Sequence, residues 1–315
     1  MITVIRPGTL TTVQDLGRFG YQAWGMPVSG VLDFYAAKAA NILVGNSTKA
    51  AVLEMTAEGG TYRFEEEALV AITGATADIT VNGISQAPWS SFLIPPGGIL
   101  RLGAVTQGYR LYLALQGGLD VPLVMGSRST YLPAGLGGLE GRSLQAGDIL
   151  FIGDNIRARR HPLRLPAALQ LPLEKPWQLL VTAGSQEDWF SAKDKKAFYN
   201  SIYTLGPETS RMSYRLTGPL LTSIQQELIS EPTGLGAVEV PASGKLFIVL
   251  PDHGTSRGFA KIAYIIHAHF YKLAQATPGD KITFKLTDVD TAADLYRAQE
   301  AALHKLKEDL DNNSL

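Results

Sequence analysis

Cysteine is absent from the 315 residues. That excludes disulfides, zinc thiolate centres, cysteine nucleophiles and iron–sulfur clusters. No charge of one sign prevails: 28 Lys and Arg stand against 29 Asp and Glu, for a net charge of −1. No general field therefore draws nucleic acid or an anionic membrane to the chain. Long apolar runs are missing, since none reaches the roughly 18 residues needed to span a bilayer. The start, MITVIRPGTL, lacks a basic stretch followed by an apolar core, so no secretory signal is expected and the protein is expected to be cytoplasmic. A P-loop, a G-x-S-x-G elbow and an H-E-x-x-H helix are also missing. One short basic cluster exists, Arg157, Arg159, Arg160 and Arg164 around His161. Prolines interrupt it, and it reads as a solvated linker rather than a nucleic-acid patch.

What is present suits a globular chain of about two domains. The hydrophobic content is 45% and the charged content 18%, both ordinary. The densest stretch is Thr11–Asn46, TTVQDLGRFGYQAWGMPVSGVLDFYAAKAANILVGN. A polar run, Gln14-Asp15-Leu16-Gly17-Arg18, leads through a glycine-rich loop into a helix. Asp33 is placed to cap that helix, its apolar stripe is Phe34, Ala37, Ala40 and Val44, and Gly45 stands where a left-handed cap is expected.

From Ala51 to about Gly153 the chain reads as short strands at about ten-residue spacing, the pattern of a sandwich or closed barrel. The expected strands are Val52–Thr56, Thr61–Phe64, Ala68–Ile72, Asp78–Val81, Ser91–Ile94 and Tyr109–Leu115, with a hairpin turn at Asn82-Gly83. Proline-rich residues 157–176 read as a linker between domains 1–156 and 177–287. In the second half, strands are expected at Gln178–Ala183, Met212–Leu216, Ala237–Val240, Lys245–Leu250 and Lys281–Leu286. Phe259–Ala274 reads as a helix. Residues 288–315 are set apart as an amphipathic C-terminal helix, spanning Thr291–Leu310 and opened by Thr291 and Asp294. Two phrases echo between the halves, YRLYLALQGG (109–118) with KLFIVLPDHG (245–254) and AGDILFI (146–152) with PGDKITF (278–284). They suggest two barrels of related design.

Four polar turns could carry chemistry: Gln14, Asp15 and Arg18; Arg128 and Ser129 in GSRST; Arg211 in TSRMSYR; and Asp252, His253 and Thr255 in PDHGTSRG. Arginine offers a planar fork that matches a carboxylate or phosphate. Polar loops at strand ends are where sites are built. Together they suggest a pocket for a small anionic substrate, while an Asp–Arg pair that only braces the fold uses the same residues. His267 and His269 read as a core-edge and a surface histidine, not as metal ligands, and no metal site is expected.

The Thr11–Asn46 stretch resembles the N-terminal signature of the biotin-dependent carboxyltransferase-like family. That family includes the C-subunit of 5-oxoprolinase, allophanate hydrolase subunit 2-like proteins and part of urea amidolyase. The resemblance continues at ITGA (72–75), RLYLALQGGLDVPLVMGSRST (110–130), GRSLQAGD (141–148), SRMSYRLTG (210–218) and PGDKITF. It implies a mainly β fold with a few helices, built as two cyclophilin-like β-barrels. It also implies the role of a C-like component in an ATP-dependent 5-oxoprolinase, with ATP entering through the complex. A B-like partner protein and an A-like protein would help to open 5-oxo-L-proline to L-glutamate. On this resemblance Asp252, His253 and Thr255 are the catalytic candidates, with Asp252 or His253 as general base. Gln14, Asp15, Arg18, Arg128, Ser129 and Arg211 are the substrate-binding candidates. The family also leaves two alternatives: a carboxyltransferase component working with biotin on another chain, or a non-catalytic antagonist of a kinase-inhibitor-like partner. The chain departs from the family pattern in its second half. Asp-Arg-Gln-Thr-Thr-Gly-Gly-Tyr becomes DHGTSRGF at residues 252–259. Thr209-Ser210 stands where an Asp usually precedes the arginine, Ser213 replaces a Gly, and Gln-Val-Pro becomes Glu239-Val240-Pro241.

Overall fold

The computed structural model describes residues 1–153, 161–224 and 228–312. The Arg157, Arg159 and Arg160 part of the basic cluster and the last three residues of the C-terminal segment lie outside them. Packing groups the chain into two units. The first holds Met1–Phe19, Ser29–Pro172 and, from Glu300, the end of the last helix; the second holds Gly20–Val28 and Leu173–Gln299.

The first unit is a nine-stranded antiparallel sheet. Its main path runs Leu10–Gln14, Val52–Thr56, Ile99–Leu115, Thr61–Phe64, Ile2–Arg6 and Ile149–Leu150. Ala68–Val81 joins off this path and pairs with Ile84–Ser85, Ser90–Ile94 and Ile99–Leu115. Two expected strands, Ala68–Ile72 and Asp78–Val81, are therefore one. Gly74 does not break it: at φ 89° it sits where the register against Ile99–Leu115 shifts, so the glycine supplies a bulge. The Asn82-Gly83 hairpin is formed, with both residues at positive φ and Thr80 opposite Ser85. One core cluster is drawn from alternate strand positions, among them Val4, Leu53, Met55, Phe64, Val70, Ile72, Leu111 and Leu113.

Helix α1, Phe34–Leu43, covers the other face of the sheet. Its stripe packs with Val52, Leu69, Ala71, Tyr112 and Ala114. Asp33 caps it, accepting from the Ala36 amide at 2.9 Å. Buried polar groups also anchor its start. Glu54 Oε2 accepts from the Leu32 amide and from the Tyr112 hydroxyl, which itself accepts from the Asp33 amide. Asp33→Ala should lower stability by about 1 kcal/mol, read from the midpoint of urea unfolding, because the cap is lost while the Glu54 anchor stays. Leu163 and Leu165 hydrogen-bond to Ser91 and Trp89, and Tyr35 donates to the Leu169 carbonyl. The described end of the proline-rich segment thus packs on this unit.

The second unit is a closed seven-stranded barrel. In order around the wall its strands are Trp177–Ala183, Ala260–Ile265, Ala237–Val240, Phe247–Val249, Ser213–Thr217, Tyr203–Thr209 and Lys281–Leu286. Closure comes from the parallel pairing of Trp177–Ala183 with Lys281–Leu286, Leu179 opposite Phe284. The mainly β reading therefore holds, with one closed barrel and one curled sheet. Helix α2, Ala192–Asn200, sends Phe198 onto Phe284, ring centroids 4.5 Å apart.

The helix expected over Phe259–Ala274 is not there. Ala260–Ile265 is a wall strand between Trp177–Ala183 and Ala237–Val240, and only α3, Phe270–Gln275, is α-helical. A short apolar run fits both periods, and pairing on both edges decides for strand. His267 and His269 lie in the 3-10 turn between them. His269 Nδ1 accepts from the Leu180 amide at 2.9 Å, and burial, then the Lys272 charge, lowers its pKa to about 4. The last helix, α4, spans Val289–Asn312. Its start is bound by Asp288, not by the Thr291 and Asp294 arrangement: Asp288 accepts from both the amide and the hydroxyl of Thr291.

Candidate functional site

Five of the candidates meet in the first unit. Leu10–Gln14 ends at Gln14, and the loop after it lies against residues 124–130. Asp15 is the knot. Its Oδ1 accepts from the Gly17 amide (2.9 Å), Ser127 Oγ (2.7 Å) and Ser129 Oγ (2.5 Å), and its Oδ2 accepts from the Arg128 amide at 2.6 Å. The Asp15 amide donates to Ser129 Oγ. Arg18 is fully buried, giving Nε to the Val124 carbonyl and Nη2 to the Ser129 carbonyl. Gln14, also buried, donates to Thr12 Oγ1 and the Thr130 carbonyl. Asp15 and Arg18 do not pair with each other; both hold the 124–130 loop.

That loop presents Arg128. Its backbone is fixed by Asp15, and its Nε donates to the Val121 carbonyl at 3.0 Å. The two terminal nitrogens have no hydrogen bond or ion pair among the described residues. Arg128 lines a cleft of about 340 Å³ together with Ala50, Ala51, residues 117–120, Ile152 and Gly153. The walls are close because Gly117, at φ 93°, lies where a Cβ would stand 2.0 Å from the Gly153 carbonyl oxygen. A free guanidinium fork in a cleft of this size suits the carboxylate of a small molecule.

The glycines of the cleft do not form a backbone cradle for a phosphate. A phosphate cradle needs free backbone amides, and those here are taken: Gly117 N by Asn46 Oδ1, Gly118 N by the Leu115 carbonyl, Asp120 N by Phe151 and Gly153 N by Gly118.

The other four candidates meet in the second unit, after Phe247–Val249. Asp252 and Arg211 form a buried two-point pair, Nε to Oδ2 at 3.0 Å and Nη2 to Oδ1 at 3.3 Å, and the Asp252 amide donates to the Arg211 carbonyl. His253 is also buried. Its Nδ1 lies 2.6 Å from the Gly254 carbonyl, which can only accept, so Nδ1 carries the proton and Nε2 keeps its lone pair. Burial lowers the His253 pKa, which keeps the ring neutral at pH 7. The Thr255 carbonyl accepts from the Thr233 amide.

Arg257 on the same loop, and its neighbours on the barrel wall, are not among the candidate site residues of the sequence. Arg257 Nη1 reaches the buried Glu239 carboxylate at 3.3 Å, and Thr233 Oγ1 donates to it at 2.8 Å. Lys261, opposite Glu239 in the ladder and fully buried, donates to Glu231 at 2.7 Å. Glu231 also accepts from Gln186. Glu239 and Arg257 are visible as departures from the family pattern, but their pairing needs the strand register. Among the described residues, no group of three or more His, Asp or Glu could hold a metal ion. No helix there is long and apolar enough to cross a membrane.

Residues 24–286 match the family model described as carboxyltransferase domain, subdomain A and B. The 5-oxoprolinase C-subunit of Escherichia coli (strain K12) is 36% identical over 319 residues, with 100% of both chains covered. The Haemophilus influenzae protein of the same name is 32% identical, again with 100% of both chains covered. The crystal structure of the K. lactis urea amidolyase superposes with a TM-score of 0.93 at 31% identity, covering 97% of this chain and 20% of that one.

Proposed function

Because the chain belongs to the carboxyltransferase domain (subdomain A and B) family, we propose that it is the C-like component of a cytoplasmic, ATP-dependent 5-oxoprolinase. In that complex it would act with a B-like partner protein and an A-like protein to open 5-oxo-L-proline to L-glutamate. Two 5-oxoprolinase C-subunits correspond to it end to end, which supports this reading. The structural observation that supports it is Arg128, its amide held by Asp15 and its Nε by the Val121 carbonyl, in the wall of a small cleft. The substrate is a compact carboxylate, and the fork binds that group. Gln14, Asp15, Arg18 and Ser129 shape the loop from behind.

In the second unit, His253 Nε2 is the group able to accept a proton near neutral pH. The Arg211–Asp252 pair holds the loop that carries it. ATP would be bound by other proteins of the complex, since the cleft amides are occupied. The fold likeness to urea amidolyase favours a second reading, a carboxyltransferase half-site served by biotin from another chain. Both readings use an arginine for an anionic substrate. The test is Arg128→Ala in the complex reconstituted with its B-like and A-like partners. Activity on 5-oxo-L-proline should fall by at least about a hundredfold, corresponding to the loss of a charged two-point contact. Unchanged kcat/KM would remove the cleft from the site.

A further inference from the structure

The first-unit cleft has two poles. Asp120 lines the same walls as Arg128. Its backbone is held by its amide to the Phe151 carbonyl, and the residue is exposed. Neither the Asp120 carboxylate nor the terminal nitrogens of Arg128 has a side-chain partner among the described residues. Yet Arg128 Nε is bonded to the carbonyl of Val121, the residue next to Asp120. Opposite charges so close in the chain would ordinarily close into an ion pair. Here no such pair lies within hydrogen-bonding reach: Asp15 holds the backbone amide of Arg128, and the Val121 carbonyl holds its Nε.

An unpaired cation and an unpaired anion on two residues that line one small cleft select a ligand that carries both an acceptor and a donor. Resting on the functional reading above, we propose that Asp120 is the specificity residue of this cleft. It accepts the ring N–H of a cyclic amide whose carboxylate is held by Arg128. The ligand class is a small lactam bearing a carboxylate. Ring analogues without the N–H forgo this bond to the exposed Asp120 carboxylate and bind more weakly.

The experiment uses the reconstituted complex and 3-oxocyclopentane-1-carboxylate, in which a methylene replaces the lactam N–H. The KM for 5-oxo-L-proline is compared with the inhibition constant of this ketone. In the wild type the lactam should be favoured by about tenfold or more, equivalent to one hydrogen bond to a charged group. Asp120→Ala should raise KM by about that factor and leave the inhibition constant of the ketone and kcat in place. Asp120→Asn, which keeps an acceptor oxygen, should lie between. Arg128→Ala should weaken lactam and ketone alike. If Asp120→Ala moves both ligands equally, or neither, while the complex still turns over 5-oxo-L-proline, the role of Asp120 is wrong and the functional reading stands. A wild-type complex without turnover overturns the functional reading, and this inference with it.

Discussion

Asp15→Ala is expected to destabilise the first unit by about 3–5 kcal/mol and to abolish ligand binding in the Arg128 cleft. The carboxylate takes four hydrogen bonds from Gly17, Ser127, Arg128 and Ser129. Each bond to a charged group contributes about 1.5–3 kcal/mol net, and the losses are not additive because the donors share one loop. The buried hydroxyls of Ser127 and Ser129 would be left without their acceptor. Asp15→Asn keeps the shape and one acceptor oxygen, so it should cost about half as much. Urea unfolding gives the stability, and amide exchange over residues 124–130 reports the loop. Fast exchange there in Asp15→Ala, with the exchange of α1 unchanged, is the expected signature. Wild-type exchange in the loop would mean that Asp15 does not hold it.

Arg257→Ala should cost about 2–4 kcal/mol at neutral pH, and Glu239→Gln should restore most of it. Glu239 is buried, with Arg257 and Thr233 on its carboxylate and Lys261 beside it in the ladder. Removing one member of a buried ion pair leaves an uncompensated charge. Burial raises the Glu239 pKa, against the lowering effects of Thr233, Arg257 and Lys261. The sign of the pH dependence follows. A carboxyl whose folded pKa is raised holds its proton more tightly in the folded state. Its contribution is fully present below the ordinary glutamate pKa and is lost as pH rises through the folded value. Without Arg257 that folded value rises further, so the deficit of Arg257→Ala should shrink towards pH 5 and grow towards pH 8. In the double variant the pH dependence should vanish. The family pattern has Gln and Gly at these two places. The chain thus bears a negative and a positive charge where the pattern has none, and the fold sets them 3.3 Å apart. A pH-independent loss in Arg257→Ala, or no rescue by Glu239→Gln, would show that the two positions are not coupled.

Local signals are readable in the sequence and long-range ones are not. Asp33 and Gly45 mark α1 because caps act within one turn. Asn82-Gly83 marks its hairpin for the same reason. Gly74 misleads because a glycine inside a strand signals a bulge as well as a break, and only the partner strand tells which. The run from Ala260 to Ile265 carries no period that excludes a helix; its neighbours on both sides make it barrel wall. The candidate site divides in the same way. Arg128 is legible as an arginine among hydroxyls, but its backbone is fixed by Asp15, 113 residues earlier. Asp120 lies inside a family motif, yet nothing local distinguishes a cleft carboxylate from a turn aspartate. Arg257 stands beside Asp252, His253 and Thr255 without a local sign of its role, because its partner, Glu239, reaches it only across strands.

The decisive measurement is glutamate release from 5-oxo-L-proline with ATP, made for the B-like and A-like partners with and without this chain. The proposed role predicts release by the full set and none when this chain is left out, with activity restored on adding it back. Equal release without the chain, or an assembled full complex that leaves 5-oxo-L-proline intact, would contradict it.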